Sequence, residues 1–194
     1  MYLGKFKLIL ASGSPRRKAL LAKAGLDFEV RKKEIDESYP TDMPIDEIAE
    51  YLAVKKANAQ AEEQTEDEIL LTADTIVSFD GKEFGKPSSR ADSIQTLLLL
   101  SGKSHDVYTG VSLRTQKHSI SFTCKSVVHF AEITEEEAGA YYDSCDPSDK
   151  AGSYGIQDWI GVSKVEWING SYTNILGLPM AQTLTALRQL VESH

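Results

Sequence analysis

Runs of apolar residues alternate along the chain with apolar positions at helical spacing, and the alternation spells an α/β order. Leu8-Ile9-Leu10-Ala11 is an unbroken apolar run of the kind found in buried strands, and Ser12-Gly13 ends it. Ser14 then offers an N-cap oxygen and Pro15 stands at the first helical position, so a helix is predicted on through Ala24, with Gly25 as its left-handed stop. A short strand is expected at Phe28 to Val30. From Asp46 to about Glu63 the apolar residues Ile48, Tyr51, Leu52 and Ala59 keep a spacing near 3.6, which predicts a long helix. The acidic stretch Glu62 to Glu68 reads as its exposed end and a loop.

The second half adds antiparallel signals. Ile69 to Phe79 has the aliphatic density of a strand buried on both faces, and Asp80-Gly81 is a strong hairpin turn into Lys82-Glu83-Phe84-Gly85-Lys86-Pro87. Ser88 or Ser89 caps a helix from Ala91 to Leu100. Lys103 to Leu113 and Ser119 to Ala131 read as two strands, with Lys117-His118 near the turn between them. Thr134-Glu135-Glu136-Glu137 is a capping-box signature that opens a helix through about Asp143. A strand is expected from Val162 to Ile168, then a polar turn, then a last helix from Met180 to Leu190. No repeat or linker divides the chain, which predicts a single domain over residues 1–194 with a mixed sheet.

Composition narrows the function classes. At 194 residues, 41% hydrophobic and 26% charged, the chain is long enough for a sizeable core and is neither fibrous nor disordered. A formal net charge of -8 argues against non-specific nucleic-acid binding, which needs a basic surface. Cys124 and Cys145 make no disulfide framework, and the four histidines have no metal-ligand spacing. No apolar run approaches the length of a membrane span, and no signal-peptide core follows Met1, so a cytoplasmic protein is expected.

Chemistry shows where local rules are broken. Arg16, Arg17 and Lys18 fill a first helical turn, where the macrodipole disfavours cations by roughly 0.3–1 kcal/mol each. Serine hydroxyls, a helix start and two guanidiniums there make a ready anion site, and arginine favours phosphate through its bidentate fork. A solvated basic cluster beside a structural turn is the competing reading, and the spacing is not that of a Walker loop. Asp36 and Glu37 are candidate metal or catalytic carboxylates. Of Lys55 and Lys56, one must lie nearer the buried stripe of its helix. Asp74 interrupts an apolar strand, and a buried carboxylate is expensive unless paired, protonated or metal-bound. Lys86 is fixed between Gly85 and Pro87, and the glycine-punctuated segment from Lys150 to Gln157 suits a loop that approaches a ligand closely.

With these pieces in order, the chain resembles the Maf family of nucleoside triphosphate pyrophosphatases, once described as septum-formation inhibitors. The resemblance runs from Leu8 to Leu187 through Ala11-Ser12-Gly13-Ser14-Pro15-Arg16-Arg17, Ile35-Asp36-Glu37, Lys56, Ala73-Asp74-Thr75, Gly85-Lys86-Pro87, Lys150 to Gln157, and Gly170-Ser171-Tyr172 with Gly177-Leu178-Pro179. It implies an α/β fold similar to that of inosine triphosphate pyrophosphatases, with two lobes around a long mixed sheet and a central cleft, usually as a homodimer. It also implies Asp74 as proton acceptor, Ser12, Arg17, Lys56 and Lys86 as phosphate-binding residues, and Glu37 with Asp74 beside a divalent metal, Mg²⁺ above all.

Three positions select the branch that the chain resembles. The branch similar to 7-methyl-GTP pyrophosphatases carries Trp, Gln and Glu where this chain has Arg16, Thr75 and Gln157. Trp and Glu suit a cationic purine, whereas Arg, Thr and Gln offer hydrogen bonds to a pyrimidine edge. The resemblance therefore implies hydrolysis of dTTP and UTP to the monophosphate and pyrophosphate. Two alternatives stand beside it: a house-cleaning enzyme for modified pyrimidine triphosphates, and a non-catalytic nucleotide sensor that regulates division. One departure is that Asp158-Trp159-Ile160 follows Gln157 where the family usually continues with glycines.

Overall fold

The first apolar run becomes β1 (Lys7–Leu10), whose Leu8, Ile9 and Leu10 are fully buried. The computed structural model describes residues 3–193. After β1 come α1 (Pro15–Lys23), β2 (Glu29–Val30), α2 (Ile45–Asn58), β3 (Glu68–Phe79), β4 (Lys82–Phe84), α3 (Arg90–Leu100), β5 (Ser104–Arg114) and β6 (Ser119–Phe130). The chain then forms α4 (Glu135–Cys145), α5 (Trp159–Lys164), β7 (Val165–Asn169), α6 (Tyr172–Ile175) and α7 (Met180–Glu192), with short 3-10 turns at Ala61–Glu63, Pro147–Asp149 and Ala151–Ser153.

The sheet has seven strands in the order β2-β1-β3-β5-β6-β7, with β4 paired to β3. β1 pairs parallel to β2 and to β3, with Leu10 opposite Leu71, whereas β3 with β4 and β6 with β7 are antiparallel. The sheet is therefore mixed, as the sequence predicts. By compactness the chain divides into two units: residues 1–74, 109–124 and 177–194, and residues 75–108 with 125–176.

In the first unit, Leu8, Leu10, Ile69 and Leu71 of the parallel strands meet Leu21 of α1 and Leu187 and Leu190 of α7 in one core. Two contacts lay α2 on the sheet. The Thr72 hydroxyl donates to the Ala53 carbonyl at 2.7 Å. Gly110 lies directly beneath the helix, because a Cβ there would stand 2.1 Å from the Ala49 carbonyl carbon. Strand period then puts Asp74 on the same face as Thr72, and helical period puts Lys56 near the side of Ala53. The helix is fixed where its lysine matters.

The second unit has its own core, in which Leu97 and Leu100 of α3, Val128 and Phe130 of β6 and Tyr141 of α4 are fully buried. Asn174 of α6 is buried as well, and its amide donates to the Val107 carbonyl and the Ser126 hydroxyl at 3.0 and 2.9 Å. A side chain at Gly170 would strike Ser126, and its φ of +127° is glycine territory, so the Gly170-Ser171 motif serves this junction.

Several sequence expectations hold. Ser14 caps α1 with Pro15 following, Gly25 has φ +69°, Ser89 rather than Ser88 caps α3, and Thr134 with Glu137 forms a full capping box. Three do not. The expected long helix stops at Asn58, and a separate 3-10 turn follows. The acidic stretch is not wholly exposed, because Glu68 is buried in a two-pronged bond with Arg31 at 2.6 and 3.0 Å. Where a strand is expected from Val162, the chain forms α5 first. The Val162 N–H donates to the Asp158 carbonyl at 2.9 Å and the Ser163 hydroxyl to the Trp159 carbonyl, and this single helical turn leaves Val162 exposed.

Two predictions follow from this packing. Gly110→Ala is expected to lower unfolding free energy by about 3 kcal/mol, since the methyl must displace helix backbone and not a flexible side chain; an unchanged urea midpoint would contradict it. His105 is buried, with Nε2 2.8 Å from the Tyr154 hydroxyl, and burial takes its pKa from 6.5 to about 4. The unfolded chain therefore binds a proton that the folded chain refuses between those values. Stability that is whole above pH 6.5 falls as pH drops, by about 2 kcal/mol at pH 5. Urea unfolding at pH 7 and 5 should show this loss, and His105→Gln should remove most of it.

Candidate active site

β1 lies between β2 and β3 and runs parallel to both, so its carboxyl end stands beside theirs at one edge of the parallel part of the sheet. That is where open parallel sheets place ligands. The turn Ser12-Gly13-Ser14 leaves β1 there and enters α1. The buried Ser12 hydroxyl accepts from the Ser14 N–H at 3.2 Å, and the Ser14 hydroxyl accepts from the Arg17 N–H at 3.4 Å. The turn is thus tied to itself before any ligand arrives.

Arg17 does not extend into solvent as a residue of a basic cluster would. Its Nε donates to the Gly177 carbonyl at 2.7 Å and its Nη1 to the Ser12 hydroxyl at 3.1 Å. Gly177 holds φ at +102°, a backbone state that side chains rarely adopt. Burial pulls the Arg17 guanidinium below the usual arginine value, and the Asp74 and Glu37 carboxylates oppose that pull. It remains a cation, with its position set by two fixed acceptors. Arg16, in the same first turn, is half-buried.

The two lysines of α2 separate cleanly. Lys55 donates to the Ser38 carbonyl at 2.7 Å and to Asp36 at 3.3 Å, and Asp36 is held below the usual carboxylate range by Ser38 first and Lys55 after it. Asp36 and Lys55 thereby fasten the loop before α2. Lys56 points the other way, with its ammonium 2.8 Å from Glu37 Oε1 and in direct contact with Asp74 Oδ1. The Lys56 and Asp74 side chains are only 16% and 15% exposed. The carboxylate in the middle of an apolar strand is therefore paired, as its burial requires.

Glu37 and Asp74 offer oxygens to one small volume now filled by an ammonium. Among the described residues no group of three or more His, Cys, Asp or Glu converges on a point. Two carboxylates suit Mg²⁺, which keeps waters and takes substrate phosphate oxygens for its remaining positions. The donor set fits that ion.

The second unit holds Thr75, Lys86 and Gln157. Thr75, half-buried, follows Asp74 in β3. Lys86 is exposed, on a loop whose Gly85 carbonyl accepts from the Gly152 N–H at 3.1 Å, so its loop and the glycine-punctuated segment are joined. Gln157 is exposed and its amide donates to Asp158 Oδ1 at 3.0 Å. Sequence reasoning missed the Gly177 carbonyl and the contacts of Asp158 with Gln157 and Tyr141. Nothing in the residue order announces that the first anchors Arg17 from 160 positions away.

The model of the family described as Maf-like protein matches residues 7–190. A protein of Bacteroides thetaiotaomicron named dTTP/UTP pyrophosphatase is 48% identical over 189 residues, 97% of this chain and 98% of its own. One of the same name from Bacteroides fragilis is 46% identical over 189 residues, with the same shares. Among solved structures, the Staphylococcus aureus Ham1 protein is similar at a TM-score of 0.47 and 14% identity, over 64% of this chain and 72% of that one. A match that begins at β1 and ends in α7, together with relatives nearly half identical over almost their full lengths, makes this chain a member of the Maf family.

Proposed function

We propose that the chain hydrolyses dTTP and UTP to the nucleoside monophosphate and pyrophosphate. The observation that carries this reading is the Lys56 ammonium held between Glu37 and Asp74, in a chain so similar to proteins named for that reaction. A pure nucleotide sensor has no need of two carboxylates grouped with its cations.

In this reading water attacks the α-phosphorus and pyrophosphate leaves. Asp74 accepts the proton of the attacking water through a carboxylate paired with the Lys56 ammonium. Arg17 and Lys56 take up the negative charge that grows on the leaving pyrophosphate, and Ser12 orients Arg17 for it. Arg17 needs little reorganisation, because Gly177 and Ser12 already fix its plane. For Lys86 as a further phosphate cation, and for Arg16, Thr75 and Gln157 as readers of the base, the family motif supports the assignment.

A divalent cation such as Mg²⁺, when bound, supplies charge neutralisation and a more acidic water. Glu37 and Asp74 are the residues that would hold it. We add to this reading a homodimer, as the family resemblance implies, and a reducing cytoplasmic setting, which the free thiols of Cys124 and Cys145 support. No helix among the described residues is long and apolar enough to cross a membrane.

Asp74→Asn keeps the size of the side chain and removes its basicity. With Mg²⁺ and dTTP or UTP, pyrophosphate release should fall by roughly 10²–10⁴-fold. A variant that keeps most of the wild-type rate would overturn the assignment of Asp74.

A further inference from the structure

Beside Gln157 stands a carboxylate that the reaction does not use. Asp158 Oδ2 accepts from the Tyr141 hydroxyl at 2.7 Å, and Oδ1 accepts from Gln157 Nε2 at 3.0 Å. The Lys150 ammonium, only 11% exposed, lies 4.0 Å from Oδ2. Tyr141 is itself fully buried, and its oxygen accepts from the Gly155 N–H at 3.0 Å. The carboxylate is thus clamped from the core side while its other oxygen faces Gln157.

Gly155 makes room for this arrangement. A Cβ at that position would stand 2.4 Å from Asp158 Oδ2 and 2.7 Å from Gln157 Nε2. Any side chain there would evict one partner or the other.

The chemistry of the pair is directional. An ionised carboxylate only accepts hydrogen bonds, so the amide end that meets Asp158 must be the nitrogen. The carbonyl end, Oε1, is then the end left to meet a ligand. Without Asp158 the amide could turn over at little cost, presenting donor and acceptor alike.

We infer that Asp158 is a positioning residue for base selection: it fixes the Gln157 amide so that Oε1 accepts from the N3–H of a uracil or thymine ring. This rests on the proposed reading, in which Gln157 meets the base. Uracil and thymine share an N3–H between two carbonyls, so one acceptor serves both. Cytosine carries a bare N3 there, and its lone pair would face the lone pairs of Oε1. A site built to pair with a ring N–H rejects the ring that lacks it, because a polar group is left unmatched.

The test is kcat/KM for UTP and CTP with Mg²⁺, in the wild-type protein and in Asp158→Asn, with melting curves to establish folding. Asparagine is isosteric and can donate as well as accept, so Gln157 is released. The UTP-to-CTP ratio is expected to fall about tenfold or more, with KM for UTP rising more than kcat falls. Asp158→Ala, which removes the acceptor, should move the ratio the same way. Wild-type turnover of N3-methyl-UTP reads the same contact without any substitution and should be at least about tenfold poorer than that of UTP.

A wild-type preference for UTP that survives in the folded variants overturns the role of Asp158 and leaves the pyrophosphatase reading intact. Equal use of UTP and CTP, or of UTP and its N3-methyl form, by the wild-type protein also overturns the inference alone. Failure to release pyrophosphate from any nucleotide overturns both.

Discussion

A carboxylate in the middle of a buried strand needs a cation, and the placement of that cation explains much of the first unit. Lys56 meets Asp74 because α2 crosses β3 and β5 at a set height, fixed by the Thr72 hydroxyl on one side and by the bare Cα of Gly110 on the other. The same ammonium draws in Glu37 from the loop before α2, whose path Lys55 and Asp36 hold. Three charges from a strand, a helix and a loop thereby share one place. Removal of Lys56 alone would leave a half-buried carboxylate without its counter-charge, so the pair is as much a folding constraint as a chemical one.

Arg17 is organised differently. Two of its partners in the fold are a backbone carbonyl and a serine hydroxyl, which fix the orientation of the guanidinium. A guanidinium oriented in this way can meet an anionic ligand through its bidentate fork. The first turn of α1 carries basic residues against the macrodipole, and the Asp74 and Glu37 carboxylates favour the charged form of Arg17 against its burial. A bound triphosphate would complete the balance.

Much of this was legible in the sequence because local chemistry reports local geometry. Ser14-Pro15 announced a helix start, Asp80-Gly81 a hairpin, and Thr134 with Glu137 a capping box, all of which form. Asp74 stood out because the residues around it were apolar. What could not be read depends on contacts distant in the chain. The choice between Lys55 and Lys56 needed the rotation of α2 on the sheet, and the burial of Glu68 needed Arg31, which is 37 residues earlier. Val162 misled because a β-branched residue suggests a strand, whereas one helical turn anchored at Asp158 was enough to override that preference. Tyr141 and Asp158 lie 17 positions apart, and neither residue type alone suggests a clamp.

The central claim is that water attacks the α-phosphorus of a pyrimidine nucleoside triphosphate with pyrophosphate as leaving group. The most direct measurement is turnover of UTP in ¹⁸O-labelled water, with the products resolved by ³¹P NMR and mass spectrometry. The account predicts UMP and pyrophosphate, with the label in UMP alone. Label in pyrophosphate, or UDP and inorganic phosphate as products, would contradict it.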